Sequence, residues 1–289
     1  MQAEPRPEFS ISPNRYPNMR FDAKETARQH VWEKLETEGV ARFPFPPHGR
    51  IPNFANAQAA ADRLFETQLF QKARRIKVNP DAPQRYVRIE ALKRGIIVYV
   101  PTPRLRGGFK RLDPAEIPPE KHKPAASLSN MDDWAEPVDL DDLPQLDAIV
   151  TGSVAVTRSG RRCGKGEGYS DLEFAILREL GHDPVPVGTT VHPLQLVDAL
   201  PTDAHDLPLS LIVTPGETIP VEDPPDPPRG IDWAAITDQD LNDMPVLKTL
   251  SERAGGRLPH VESRGSCPRT GVSRSTRSSS CTVEWRRRG

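Results

Sequence analysis

The sequence has few cysteines, no long apolar run and no basic surplus in its body, and each lack removes a class of protein. Cys163, Cys267 and Cys281 are the only 3 cysteines in 289 residues and are not spaced as metal ligands. A disulfide framework and a zinc site are therefore not indicated, which suits a reducing compartment. The N-terminal MQAEPRPEFS has no hydrophobic signal core, and no apolar stretch reaches the about 18 residues a membrane span needs. The expected location is cytoplasmic, with no membrane partner. Residues 1 to 251 hold 30 basic against 37 acidic side chains, so the body lacks the patch that neutralises nucleic-acid phosphates. No Ser, His and Asp arrangement shows the spacing of a nucleophile elbow, and hydrolase chemistry is not indicated.

What is present is enough apolar material, 36% of residues, for one core of about 200 to 250 residues. The 32 prolines cluster in 41–53, 101–124 and 214–228, where they break regular structure and predict long connections. Residues 1–20 read as a flexible arm and 21–254 as one α/β domain. Residues 255–289, rich in Ser and Arg, read as a disordered basic tail. That tail is the one route by which nucleic acid could be a partner.

Within the domain, Asp22 caps a predicted helix to about Glu38, with Ala27, Val31 and Leu35 on one stripe and Gly39 as its stop. Lys24 and Arg28 then share a face one turn apart. An Ala-rich helix follows over 55–67, a strand over 75–79, a helix from Pro83 to Gly95, and a buried strand over 96–100. The rigid turn after it carries Arg104 and Arg106, at the strand end where open α/β sheets place ligands. Residues 110–146 read as charged and irregular. Leu146 to Val156 is the strongest strand pattern, Leu172 to Leu180 an amphipathic helix stopped by Gly181, 185–191 and 209–214 two more strands, and 238–254 a last helix. This alternation predicts a mainly parallel sheet covered by helices on both faces.

Between the strongest strand and its helix lies Arg162-Cys-Gly-Lys-Gly-Glu-Gly-Tyr-Ser-Asp171. Gly164, Gly166 and Gly168 allow positive φ and close approach, so successive N–H groups can face one concavity at a helix start. Arg162 and Lys165 add full charges, a combination suited to a polyphosphate. No Lys-Ser/Thr pair follows the last glycine, so this is not a P-loop, and the third glycine comes one residue early for a dinucleotide fingerprint.

The segment resembles the Arg-x-Gly-x-Gly-x-Gly-Tyr-Tyr-Asp signature of 5-formyltetrahydrofolate cyclo-ligases, also called methenyltetrahydrofolate synthetases. Lys24 and Arg28 are similar to that family's N-terminal phosphate-contacting pair. Arg50-Ile-Pro-Asn-Phe54, Val100-Pro-Thr-Pro-Arg-Leu-Arg106, Gly152-Ser-Val-Ala-Val156, Gly164 to Phe174 and Gly230-Ile-Asp-Trp233 resemble the subgroup named methenyltetrahydrofolate synthetase domain-containing proteins. The resemblance runs from about 22 to 252 and implies a three-layer α/β/α fold with a mainly parallel sheet, of the NagB/RpiA/CoA-transferase-like type. It also implies conversion of 5-formyltetrahydrofolate to 5,10-methenyltetrahydrofolate, with ATP and Mg²⁺ required and ADP and phosphate released.

On that reading Lys24, Arg28, Gly164, Lys165, Gly166, Glu167, Gly168 and Tyr169 meet the nucleotide. Arg162, Tyr169 and Asp171 serve catalysis, Asp171 also holds the metal, and Arg104 and Arg106 meet the reduced folate. Three positions depart from the family pattern. Thr157 stands where an Asp of the metal region is usual, Ser170 replaces the second Tyr, and Asp81-Ala-Pro-Gln-Arg85 gives no clear match to a substrate-reading Glu. A nucleotide- or folate-binding regulatory protein that keeps the fold without ring closure is thus the alternative.

Plainer readings stand beside these. Lys24 and Arg28 also fit a solvated helix face, and Arg104 and Arg106 also fit ion pairs with the acidic stretch Asp132 to Asp142. Glu167 either turns outward or pairs with Lys165. His192 reads as a satisfied loop or core histidine and Cys163 as a small buried residue. Monomer and weak homodimer are both open.

Overall fold

The structure, a computed structural model, describes residues 19–253 and Gly255. The tail expected over 255–289 therefore lies, apart from Gly255, outside the described residues. Of the arm expected over 1–20, Met19 and Arg20 are described. Both are tied down, Met19 by its N–H donating to Asp198 at 2.6 Å and Arg20 by a bridge to Ala199.

Helix α1 (Lys24–Thr37) buries Ala27, Val31, Trp32 and Leu35, and Gly39 closes it at φ 64°. Its N-cap is Ala23, with no side-chain cap. Asp22 is not the cap it was expected to be, because the helix starts one residue later. The hairpin β1 (Ala41–Arg42) and β2 (Asn53–Phe54) brackets the first proline-rich loop. The Ala-rich segment forms α2 (Ala57–Leu64), followed by the short α3 (Gln68–Lys72). Strand β3 (Arg75–Val78), α4 (Gln84–Lys93) and β4 (Ile97–Pro101) make the first crossover.

Residues 110–146 are more regular than their charge suggested. Strand β5 (Phe109–Leu112) pairs antiparallel with β4, α5 (His122–Ala125) follows, and β6 (Glu136–Val138) pairs antiparallel with β5. Phe109 and Leu112 are fully buried; their spacing across charged neighbours hid the strand.

The apolar run 146–156 is not one strand. It forms β7 (Ala148–Thr151), leaves the sheet at Gly152, and re-pairs as β8 (Ala155–Val156) in a hairpin with β9 (Arg162–Cys163). A Cβ on Gly152 would stand 2.9 Å from Asp81 Oδ2 and from Ile51, so the chain turns in a space that admits no side chain. Val154 and Ala155 are apolar because they pack on Ala27, Val31 and Leu35 of α1, outside the sheet.

The rest of the chain is α6 (Tyr169–Glu179), β10 (Val187–Thr190), β11 (Leu211–Val213), β12 (Thr218–Pro220), α7 (Asp238–Asp243) and α8 (Val246–Arg253). The single last helix expected over 238–254 is thus two, separated at Met244-Pro245, since proline brings no N–H and disfavours helical backbone in the residue before it.

The eight-stranded sheet runs β12-β11-β10-β7-β3-β4-β5-β6. Its five central strands, β11, β10, β7, β3 and β4, are mutually parallel, and β12, β5 and β6 join antiparallel at the edges. The pleat sorts side chains by period two. Val98, Val100, Ala148, Val150, Leu211 and Val213 meet Leu64 of α2 and Val87 and Leu92 of α4 on one face. Tyr99, Ile149 and Ile212 meet Phe174, Ile176 and Leu177 of α6 and Leu247 and Leu250 of α8 on the other. The fold is therefore a three-layer α/β/α sandwich. Each fully buried aliphatic side chain contributes about 1.5–3 kcal/mol, and both faces of the sheet are supplied.

Candidate functional site

The C-terminal ends of the parallel strands open onto a cavity of about 770 Å³, where such sheets bind ligands. Its lining brings together α1, the turns after β3 and β4, the glycine loop with the start of α6, and residues from 203 onward. A second depression, of about 500 Å³, lies at the opposite end of β3 and β4, against Arg75, Ile97 and Arg111.

The glycine loop follows the β8–β9 hairpin. Arg162 is 3% exposed, and its Nη1 donates to Asp171 Oδ1 at 2.8 Å; the Leu207 N–H donates to the same oxygen at 2.9 Å. Asp171 therefore anchors both the loop arginine and the 203–207 segment to the first turn of α6. Gly166 has φ 112°, and Gly168, the N-cap of α6, has φ 71°, as a loop of inward N–H groups requires. Gly164 is needed for space: a Cβ there would stand 2.8 Å from Arg162 Nη2. A Cβ on Gly166 would stand 3.6 Å from the Arg28 guanidinium. The two positions thus lie within contact distance of two guanidinium groups, a setting that fits a phosphate chain.

Arg28 reaches this loop from α1, and Lys24, one turn before it, reaches the 203–206 segment. Arg28 Nε donates to the Gly164 carbonyl at 2.8 Å, and its Nη1 donates to Glu25 at 2.9 Å. Lys24 Nζ lies 2.7 Å from Asp203 and 2.5 Å from Asp206. Burial acts to lower the Lys24 pKa, and hydrogen bonds to the two aspartates outweigh it and raise it. Lys165 pairs with Glu167 at 2.7 Å, which decides between the two orientations open for Glu167. Asp203, His205 and Asp206 each offer a ligand atom within 4.8 Å of the others, a donor set that suits a divalent cation.

Arg104 lines the rim of the cavity; Arg106 is exposed and is not part of the lining. Arg104 and Leu105 hold φ 56° and 50°, backbone that non-glycine residues adopt at a cost of about 1–3 kcal/mol. The Arg104 guanidinium stacks 5.9 Å from the Tyr169 ring centroid and pairs with Asp243 at 2.7 Å. Its acidic partner thus comes from α7, and the stretch Asp132 to Asp142 supplies none. Thr157 is buried in the β8–β9 turn, where its Oγ1 accepts from the Arg161 N–H at 3.1 Å; it does not line the cavity.

The cavity floor is polar. Lys77, 1% exposed, forms a close ion pair with the buried Glu173 and donates to Asn79 Oδ1 at 3.0 Å. Asn79 Nδ2 donates to Ser170 Oγ at 2.7 Å. Burial raises the Glu173 pKa against the opposing pull of Lys77. Burial likewise raises that of Asp81, against Lys165 and Arg88. His192 lies outside the lining. Its Nδ1 accepts from the Leu194 N–H at 3.2 Å, and burial lowers its pKa to about 4, so it is the satisfied loop histidine expected.

With this geometry in place, the model of the 5-formyltetrahydrofolate cyclo-ligase family matches residues 22–215. The chain belongs to that family. The chain is 42% identical over 241 residues to the Mus musculus methenyltetrahydrofolate synthase domain-containing protein, covering 80% of this chain and 64% of that one. It therefore spans less than two thirds of that relative's length. It is 35% identical over 75 residues to the Escherichia coli (strain K12) 5-formyltetrahydrofolate cyclo-ligase, covering 26% of this chain and 40% of that one. The NMR structure of Aquifex aeolicus 5,10-methenyltetrahydrofolate synthetase superposes with TM-score 0.46 at 20% identity, over 69% of this chain and 93% of that one.

Several lining residues carried no sequence signal. Asp203 and Asp206 sit in a short polar loop after Pro201, and Asp81 stands in a segment without a clear match to the family pattern. Glu173 in the lining pairs with Lys77 buried beneath it, 96 positions away, so their pairing is invisible to periodicity. Asp232, Ala235, Ile236 and Asp240, which close one wall, lie beyond the span of the family model.

Proposed function

We propose that this chain converts 5-formyltetrahydrofolate to 5,10-methenyltetrahydrofolate with ATP as the phosphoryl donor. The formyl oxygen attacks the γ-phosphorus and ADP departs. N10 then adds to the activated carbon and gives up its proton, and phosphate leaves. The observation that carries this reading is the convergence of a positive-φ glycine loop, a helix start and Lys24, Arg28, Arg162 and Lys165 on one cavity. Phosphoryl transfer needs positioned positive charge more than covalent help.

Each residue then has a task. Lys24, Arg28 and Lys165 exchange their carboxylate partners for nucleotide phosphates, with Glu167 released beside Lys165. Arg162, held by Asp171, stays fixed against the loop. Tyr169 and Arg104 border the folate, and Asp81 stands after β3, where the family pattern calls for a substrate-reading carboxylate. Arg106, exposed and outside the lining, has no task in this scheme. Asp203, Asp206 and the Asp171 oxygen that Arg162 and Leu207 leave free are the candidates to hold Mg²⁺, which when bound neutralises triphosphate charge. The chain acts as a soluble cytoplasmic monomer or weak homodimer; no helix among the described residues is long and apolar enough to cross a membrane.

The test is absorbance of the methenyl product on mixing chain, ATP, Mg²⁺ and 5-formyltetrahydrofolate. The expected result is growth that needs ATP; its absence refutes the reaction. A second reading, nucleotide or folate binding without turnover, draws on the carboxylates already matching the cavity cations. It expects ADP and ATP to raise the melting temperature of a chain that forms no product.

A further inference from the structure

At Ser170 the chain departs from the cyclo-ligase signature, which has a tyrosine there, and the surrounding hydrogen bonds say what the serine does. Lys77 is buried, and its ammonium has only protons to give. The Asn79 atom facing it at 3.0 Å must therefore be the carbonyl oxygen. That fixes the amide: Nδ2 faces Ser170 and donates to its Oγ at 2.7 Å. The Asn79 main chain is fixed as well, its N–H donating to the Val150 carbonyl at 3.1 Å and its own carbonyl accepting from Arg88 Nη1 at 2.6 Å. With Oγ already accepting, the Ser170 proton is free to be given, and among the described residues no protein acceptor takes it. The side chain borders the cavity in the first turn of α6, directly after the glycine loop.

We propose that Ser170 is a hydrogen-bond donor to a phosphoryl oxygen of the bound nucleotide, at the end of a one-way relay from Lys77 through Asn79. Ser170 touches the ligand; Asn79 and Lys77 are positioning residues. The relay's direction matters, since each donated proton polarises the next group. The small serine thus supplies a hydroxyl where the family's bulkier phenol is lacking. This inference rests on the nucleotide part of the function proposed above and does not need ring closure to occur.

The experiment is calorimetric binding of ADP and of the non-hydrolysable ATP analogue AMPPNP, each with Mg²⁺, to the full chain and its variants. Ser170→Ala should weaken binding roughly ten- to hundredfold, the range for losing a hydrogen bond to a charged group. Ser170→Thr, which keeps the hydroxyl, should stay within about threefold of wild type, a rescue that a merely structural role would not show. Asn79→Asp is the sharper variant. A carboxylate still accepts from Lys77 but also takes the Ser170 proton, so the relay reverses and the loss should match that of Ser170→Ala. The double variant Asn79→Asp with Ser170→Ala should lose no more than either alone.

A loss confined to AMPPNP puts the contact on the terminal phosphate, and an equal loss for both ligands puts it on the diphosphate; each supports the donor. Wild-type affinity for both ligands in Ser170→Ala overturns it. Nucleotide binding that Ser170→Ala weakens, in a chain without ring closure, supports the donor and refutes the reaction. A wild-type chain that binds neither nucleotide refutes both.

Discussion

Lys77→Met removes one member of the most deeply buried ion pair described, with side chains 1% and 8% exposed. Breaking a buried pair from one side costs about 3–5 kcal/mol, because the remaining charge has lost its partner in a poorly solvating site. For a domain of this size each kcal/mol moves the melting point by about 2–4 °C, so a fall on the order of 10 °C is expected.

The loss should depend on pH. Burial already raises the Glu173 pKa above its ordinary 4.5, and Lys77 is the main group opposing that rise. Without Lys77, burial and the nearby Asp81 and Asp171 act unopposed and raise it further. The folded variant then keeps a proton that the unfolded chain releases, so its stability is fullest below the unfolded value of 4.5 and drains away as pH rises through the folded one. Urea unfolding at about pH 5 and pH 8 should therefore show the larger deficit at pH 8. Lys77→Met with Glu173→Leu should recover most of the stability, since it removes both charges from the buried site. A single variant within about 1 kcal/mol of wild type, or equally damaged at both pH values, would refute this account of the cavity floor.

Two further outcomes follow. Gly166→Val should abolish nucleotide binding while leaving the far-ultraviolet circular dichroism of the sheet in place, because a branched side chain at φ 112° is strained and crowds Arg28; unchanged ADP affinity by calorimetry would refute it. His192, whose pKa burial lowers to about 4, holds less proton folded than unfolded. It contributes stability above about pH 6.5 that is lost as pH falls toward 4, at most about 3 kcal/mol and nearer 1–2 after solvent screening. His192→Asn, which can still accept the Leu194 N–H but does not titrate, should flatten that part of the pH profile; an unchanged difference in urea stability between pH 7 and pH 4.5 would count against it.

Much of this molecule was legible from residue order alone, where the physics is local. The strand at 75–78 shows as an alternation and that at 97–101 as a β-branched run, those at 187–190 and 211–213 fall within the stretches expected to be strands, and Gly39, Gly95 and Gly181 end helices because few other residues accept positive φ. The glycine loop and the one-turn spacing of Lys24 and Arg28 are equally local, and the structure brings both to one cavity. Burial without pairing misled in one place: the run 146–156 is apolar throughout, yet Val154 and Ala155 serve α1 and not the sheet. Tertiary structure alone decided the partners. Lys24 meets Asp203 and Asp206, Arg104 meets Asp243, and Lys77 meets Glu173 across separations of 96 to 182 positions. Charge acts through space with no memory of chain order, so a local pattern can announce that a cation is present but not which carboxylate folding will bring against it.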